Sequence, residues 1–474
     1  MSGGAGIPAA FRRILVLGAS RSGTSAAIAL AGPRREVLLS DRRAAADLPG
    51  VGPALEAGVR FVPEQTLISD WPAPDLVVKS PGVPAEAAPV ALARERNVPV
   101  WSELEVAYAL FANPFDAITG TNGKTTTTAL LGHLFATAGR PARVLGNIGV
   151  AVTSVAGSIA AGEELVVEVS SFQLEDIHQF RPACGIFLNL TPDHLDRHGT
   201  MERYLACKAN LFANQGPDDV AVLNLVDPAV ARLGAEIAAR REGPRALFFS
   251  TIGPGSLHGS ILPDSWVERG WMYLAKQQTV RVEEIRIPGV HNLENSLAAG
   301  SAAVARGLEV EAVAEGLRTF SGVPHRLQTA GIVAGVTYVN DSKATNVDAT
   351  LTALNAYPVN THLILGGRDK ASDYRPVARA CARGCKAVYL IGEATPLIDA
   401  AFAEVRDKEN VAGMPEVREA GDLENAIRTA SRDAVPGDVV LLAPACASFD
   451  QYKNFEERGD HFMSLVSGLQ KGQL

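Results

Sequence analysis

Residues Asp116-Ala-Ile-Thr-Gly-Thr-Asn-Gly-Lys-Thr-Thr126 join a short apolar run to a Gly-rich turn, followed by a helix-compatible stretch over 127–136. A strand running into such a turn presents backbone N–H groups to phosphate oxygens: Gly120, Thr121, Asn122, Gly123, Lys124, Thr125 and Thr126 form the candidate cradle. Lys124 can reach the β- and γ-phosphates, and the Thr125 hydroxyl can ligate Mg²⁺. The spacing is not that of the usual P-loop, whose first glycine would fall at Ile118. A generic glycine turn is the competing reading, and Gly-Lys-Thr-Thr after a strand disfavours it.

Working outward, other apolar, β-branched runs alternate with Ala/Leu-rich segments: 14–17, 37–39, 76–78, 165–169, 185–190, 220–223, 363–365, 387–391 and 439–442. That alternation predicts α/β domains with mainly parallel sheets, whose ligands bind at the carboxyl edge of the strands. Pro interrupts near 111–115 and again near 321–324, dividing the chain into 1–112, 113–321 and 322–474. The first and third pieces read as Rossmann-like and the central one as a P-loop ATPase-type α/β domain. Residues 233–279 are irregular and read as edge strands and loops, and there is no fixed-period repeat.

On that carboxyl edge, Glu168 ends the run 164–169 and is the expected second-strand carboxylate for Mg²⁺, against the reading of an exposed strand-end Glu. The next run opens into Thr191-Pro-Asp-His-Leu-Asp-Arg-His198, two His and two Asp in one turn, which suits metal or phosphate work. Lys208 lies on an expected helix over 201–212 and by spacing alone is a helix lysine. His291-Asn-Leu-Glu-Asn295 precedes a helix-like stretch and offers amides to an adenine edge or to a helix cap. In the first piece, Gly18-Ala-Ser-Arg-Ser-Gly23 with Asp41 downstream is either a nucleotide-diphosphate turn lacking its middle glycine or a plain strand–turn–helix. Loops around His325-Arg326, 340–346, 366–370 and 443–450 gather Lys, Arg, Ser and Thr suited to a carboxylate-bearing substrate and a polyphosphate.

Composition narrows the classes. With 474 residues the chain is long enough for about three domains, and 47% apolar against 20% charged residues is globular composition. Lys and Arg total 44 against 52 Asp and Glu, a net charge of −8, so no basic excess speaks for nucleic acid or an anionic membrane. Five scattered cysteines argue against a disulfide scaffold and for a reducing, cytoplasmic compartment. Cys381 and Cys385 lack a second matching pair, so zinc is disfavoured there. No apolar window reaches about 18 residues, which excludes a transmembrane helix.

Taken in order, Gly-Thr-Asn-Gly-Lys-Thr-Thr, Glu-Val-Ser-Ser-Phe-Gln-Leu, Asp-His-Leu-Asp-Arg-His, His-Asn-x-x-Asn, His-Arg, Asp-Ser-Lys-Ala-Thr-Asn and the final Ala-Cys-Ala-Ser-Phe-Asp-Gln-Tyr-Lys-Asn-Phe-Glu-Glu-Arg-Gly resemble the Mur ligases along essentially the whole chain. The resemblance is greatest to the members that add D-glutamate, since neither the Asp-Asn-Pro-Arg nor the His-His-Pro motif of sister enzymes occurs. It implies ATP-dependent amide-bond formation between UDP-N-acetylmuramoyl-L-alanine and D-glutamate through an acyl phosphate, by a monomeric chain with no nucleic-acid partner. It further implies Lys124, Glu168, His194 and Lys208 as catalytic residues. Thr125, Ser170, Glu168, His194 and a carbamylated Lys208 would hold Mg²⁺, two ions being expected. Asn292, Asn295, Arg326 and Asp341 would contact the rest of ATP, and Lys343, Thr345, Lys370, Ser448 and Phe455 would surround D-glutamate. Ser22, Asp41, Arg42, Ser80, Pro81, Gly82, Asn147 and His325 would hold the UDP substrate, and closure of the third domain would bring Lys370 and Ser448 to the intermediate. A nicotinamide-dependent dehydrogenase leaves the Gly-Lys-Thr-Thr loop unused, and a non-catalytic ATP switch leaves the downstream Lys/Ser/Thr loops unused.

Overall fold

The computed structural model describes the chain except residues 1–3, 5, 49, 147–149, 257–260, 371, 410 and 473–474. Two compact units result: Met1–Arg286 with His291–Phe320, and Ile287–Val290 with Ser321–Leu474. Three sheets carry them, two in the first unit and one in the second.

The first sheet has five parallel strands in the spatial order Arg60–Phe61, Glu36–Ser40, Arg13–Leu17, Leu76–Lys79, Val100–Ser102. Ile14 and Val16 point into one apolar cluster while Leu15 and Leu17 point into another, so the central strand is buried on both faces and reads as a continuous apolar run. Strand order reverses around Arg13–Leu17, and the loops leaving its end and that of Leu76–Lys79 diverge to open a crevice.

The second sheet has nine strands, in the order Gln277–Arg281, Trp271–Leu274, Ser265–Glu268, Arg245–Ser250, Val220–Asn224, Cys184–Phe187, Phe115–Thr119, Glu164–Glu168, Ala142–Gly146. Pairing is parallel except for the three-strand meander at one edge, 265–281. The phosphate-loop strand Phe115–Thr119 sits between Cys184–Phe187 and Glu164–Glu168, which places both flanking carboxyl ends beside the loop. Two local expectations change. Helix Pro228–Ala238 and the parallel strand Arg245–Ser250 occupy part of the stretch read as irregular edge, because Val230, Leu233 and Ile237 recur at helical spacing and pack on the core. Helix Val290–Ala305 begins before His291, so His291-Asn-Leu-Glu-Asn295 lies inside it and not ahead of it.

In the second unit six strands follow the order Gln328–Val333, Val336–Asn340, Val439–Leu442, Thr361–Gly366, Cys385–Ile391, Glu416–Gly421, antiparallel only in the first pair. Cys381 is buried and Cys385 half-buried, both unbridged, in the core side of this unit. Among the described residues no helix is long and apolar enough to cross a membrane.

Candidate active site

The phosphate loop is built by glycine geometry. Gly123 has φ +82° and begins helix Lys124–Thr137, and a Cβ on it would lie 2.2 Å from Asn295 Oδ1. No other residue satisfies both the left-handed backbone and the close approach. The first intrahelical bond runs from Thr127 N–H to the Gly123 carbonyl at 3.0 Å, so the N–H groups of the first turn face past the helix end, where an anion is favoured.

Asn189 holds the loop open. Its Oδ1 accepts the Thr121 and Asn122 N–H groups at 3.1 and 2.8 Å, and its Nδ2 donates to the Asn122 carbonyl at 3.2 Å. The Thr121 hydroxyl donates to the Thr191 carbonyl and accepts the Thr191 N–H, at 3.1 and 3.0 Å. Sequence reading passed over Asn189; its signal was an amide two residues beyond the buried strand Cys184–Phe187, on the edge that carries ligands. Asn295 braces the helix side: its Oδ1 accepts from the Thr127 hydroxyl at 3.2 Å and its Nδ2 donates to Asn292 Oδ1 at 3.1 Å, all buried. Arg306, just past that helix, pairs with Asp116 and Glu164 at 2.9 Å, tying the start of the loop strand to the same helix end.

Two lysine side chains converge on one carbonyl. Lys124 Nζ donates to Gly120 O at 2.9 Å and to Thr121 O at 2.8 Å, and Lys208 Nζ donates to Gly120 O at 2.7 Å. Lys208 is only 1% exposed, on helix Met201–Ala209, with its Nζ 4.6 Å over the Tyr204 ring. Burial, and then the neighbouring charge of Lys124, hold its pKa well below the ordinary lysine value. The Gly120 carbonyl thus accepts from both lysines, and the Lys124 side chain stands beside the helix N-terminus, where oligophosphate oxygens are favoured.

Around this point lie the oxygen donors. Glu168 is 3% exposed at the end of the strand whose Glu168 pairs in register with Ile118 of the loop strand. Ser170 caps the short helix Ser171–Leu174, its Oγ accepting the Gln173 N–H at 3.4 Å while Gln173 Oε1 accepts the Ser170 N–H at 3.0 Å. His194 sits in the left-handed region at φ +52° with Nε2 3.5 Å from Asp193 Oδ2, and is exposed. Thr125, Ser170 and Glu168 are hard oxygen donors of the kind Mg²⁺ takes. The two His of the turn separate: His198 is 4% exposed, stacked on Phe172, with Nε2 2.9 Å from the Ser171 hydroxyl, and burial lowers its pKa.

A cleft of about 380 Å³ opens at the carboxyl edge of the first sheet, lined by Ser22, Asp41, Arg42, Ser80, Pro81 and Gly82 among others. Gly18 has φ +88°, and a Cβ on Gly23 would lie 1.8 Å from the Gly18 carbonyl oxygen and 2.4 Å from Ser80 Oγ. Ser20, where a middle glycine was missing, has extended backbone and needs none. Asp41 Oδ2 accepts the Ala19 N–H at 2.8 Å and Oδ1 accepts the Arg43 N–H at 3.0 Å. Burial would raise Asp41, but the Arg43 side chain and these N–H groups outweigh it and keep the carboxyl below its ordinary range. Arg43 and Gln173 also line the cleft and were not singled out in the sequence. Asn147 lies outside the described residues.

In the second unit, His325 (φ +59°) is buried, with Nδ1 3.1 Å from Asn340 Nδ2. The Lys343 N–H donates to the His325 carbonyl at 3.0 Å, and Lys343 Nζ lies 5.7 Å over the Phe455 ring. Lys370 Nζ donates to the Thr345 carbonyl at 3.3 Å, and the Arg368–Ala447 backbone bridge joins this loop to the one carrying buried Ser448. Thus Lys343, Thr345, Lys370, Ser448 and Phe455 share one end of the sheet. Arg458, quoted in the last motif without a role, is 1% exposed and donates to Ser342 Oγ, Ser342 O and Cys446 O at 3.0, 2.9 and 3.2 Å, fastening these loops together. Arg326 and Asp341 are neighbours here. Burial raises Asp341 to about 6, against the lowering influence of Arg326. A raised carboxyl binds its proton more tightly folded than unfolded, so stability is lost as pH rises from about 4 to 6. Asp341→Asn is expected to flatten that decline, read as urea unfolding midpoints across the interval; an unaltered slope contradicts the buried-acid assignment.

The model of the Mur ligase middle domain matches residues 118–303, and that of the Mur ligase, glutamate ligase domain matches residues 325–446. The chain is 42% identical over 474 residues to the UDP-N-acetylmuramoylalanine–D-glutamate ligase of Pelotomaculum thermopropionicum, covering 97% of this chain and 98% of that one. With the enzyme of the same name from Acidobacterium capsulatum it shares 41% identity over 461 residues, 96% of each chain. In fold it is similar to the MurF ligase of Thermotoga maritima, solved in complex with ADP: TM-score 0.58, 16% identity, 99% of this chain and 100% of that chain covered. With both domain models matched in order, and relatives 41% and 42% identical along nearly its whole length, the chain belongs to the Mur ligase family.

Proposed function

We propose that this Mur ligase joins D-glutamate to UDP-N-acetylmuramoyl-L-alanine, converting ATP to ADP and phosphate, in cytoplasmic peptidoglycan precursor synthesis. The observation that carries the reading is the convergence of Lys124 and Lys208 on the Gly120 carbonyl beside a helix N-terminus, in a chain whose relatives bear that enzyme's name. Residues 1–112 are assigned to the UDP substrate, 113–321 to ATP and 322–474 to D-glutamate.

In the first step a carboxylate oxygen of the alanyl end attacks the γ-phosphorus, and the bond to the β-bridging oxygen breaks to give ADP and an acyl phosphate. The first-turn N–H groups and Lys124 bear on the phosphate oxygens, where fixed donors act without reorganising. In the second step the D-glutamate amine attacks the acyl carbon, a tetrahedral intermediate forms, and phosphate leaves as the nitrogen loses its proton. Lys343, Thr345, Lys370, Ser448 and Phe455 orient D-glutamate, and Asn292, Asn295, Arg326 and Asp341 serve the rest of the nucleotide. Ser22, Asp41, Arg42, Ser80, Pro81 and Gly82 grip UDP, with Asn147 and His325 toward its reacting end. Thr125, Ser170, Glu168, His194 and Lys208 as its carbamate would hold two Mg²⁺, which when bound neutralise phosphoryl charge. The depressed pKa of Lys208 favours the neutral amine that combines with CO₂. The chain works as a monomer.

Phosphate release with ATP and UDP-N-acetylmuramoyl-L-alanine tests the reading. It is expected with D-glutamate and not with L-glutamate, L-alanine or diaminopimelate. Release with another amino acid moves the enzyme to a sister step, and release with none overturns the ligase reading.

A further inference from the structure

Three side chains that the ligase chemistry does not use meet beside Lys208. One donor atom each from Glu175, His198 and Cys207 lies within 4.8 Å of the others, the group of this kind found among the described residues. Each arrives from a different turn: Glu175 just after helix Ser171–Leu174, His198 at the end of helix Leu195–His198, Cys207 on helix Met201–Ala209.

The surroundings prepare the donors. Glu175 Oε2 is taken by Lys79 Nζ at 2.6 Å, and Lys79 is also held by Asp176 at 2.8 Å, while Glu175 Oε1 turns to His198 Nδ1 at 4.0 Å. His198 Nε2 lies 2.9 Å from the Ser171 hydroxyl, an outer partner that fixes the ring and leaves Nδ1 toward the cluster. His198 is buried, whereas Glu175 and Cys207 are half-buried, so one side stays open for water as a further ligand. A thiol, an imidazole and one carboxylate oxygen form a soft and borderline donor set, unlike the oxygen-rich set around Glu168. Donors of a tetrahedral zinc lie about 3.3–3.8 Å apart, so the three must close by about 1 Å.

We propose that Glu175 Oε1, His198 Nδ1 and Cys207 Sγ bind a divalent cation of the Zn²⁺ class, at a site distinct from the Mg²⁺ positions. The Sγ–metal bond forms as the thiol proton passes to solvent. Occupancy fastens the helix that carries both Cys207 and Lys208, and Phe172, whose ring packs on His198 and His194, links the site to the catalytic turn.

Co²⁺ titration of the full chain tests this independently of the reaction. One Co²⁺ per chain is expected, with thiolate-to-metal charge-transfer absorption that Zn²⁺ abolishes and excess Mg²⁺ does not. Cys207→Ser should remove the band and Ser171→Ala should weaken binding about 10-fold or more. A wild type without the band, or a band that persists in Cys207→Ser through Cys381 and Cys385, overturns the site. Should Cys207→Ser fail to fold by circular dichroism, Glu175→Gln decides: weakened Co²⁺ binding supports the site and unchanged binding refutes it.

Discussion

Lys124→Ala is expected to cut ATP-dependent phosphate release by about 10³-fold or more, the scale of a cation aimed at a transferring phosphoryl group. The Lys124 ammonium is bonded to the Gly120 and Thr121 carbonyls, which places it at the mouth of the loop. These bonds hold the side chain at the helix N-terminus, and polyphosphate oxygens would replace them. Because Lys124 is half-buried and is not part of an apolar cluster, the variant should fold, with circular dichroism and unfolding temperature close to wild type. Near-normal phosphate release from a folded Lys124→Ala would sink the assignment of the loop.

Lys208→Ala should lose activity on a similar scale, about 10³-fold, and recover part of it in formate or acetate. The proposed carbamate makes a buried amine into an anionic oxygen donor. A small carboxylate can supply such oxygens to the vacated space, whereas it cannot replace an ammonium. Rescue therefore separates the two roles that a 1% exposed lysine at Gly120 can play. Loss without rescue by any carboxylate, in a variant shown to be folded, counts against the carbamate and leaves a purely cationic Lys208.

Much of the architecture was legible because its signals are local. Apolar runs at 14–17, 117–119 and 439–442 are strands because parallel strands covered on both faces must be apolar throughout. The helix Val310–Thr319 carries its own local signal, with Val313, Ala314 and Leu317 buried along one face. Residues 233–250 were harder, since the end of one helix and an interior strand there carry Gly and Arg between their apolar positions. The start of helix Val290–Ala305 was displaced because its polar first turns, Asn292 and Asn295, are buried by contacts from distant residues.

The sequence by itself determined the phosphate loop, the succession of strands and helices, and the family. These depend on backbone needs, such as the left-handed Gly123, and on periodicities that a single segment expresses. Tertiary structure decided which polar groups meet. It set Asn189 on the loop N–H groups, brought Lys208 to the carbonyl that Lys124 also holds, and buried His198 while leaving His194 exposed. It also buried Arg458 against Ser342, far away in the chain. A side chain's ionisation and partners depend on burial and on charges brought from elsewhere, and neither is written in the residues beside it.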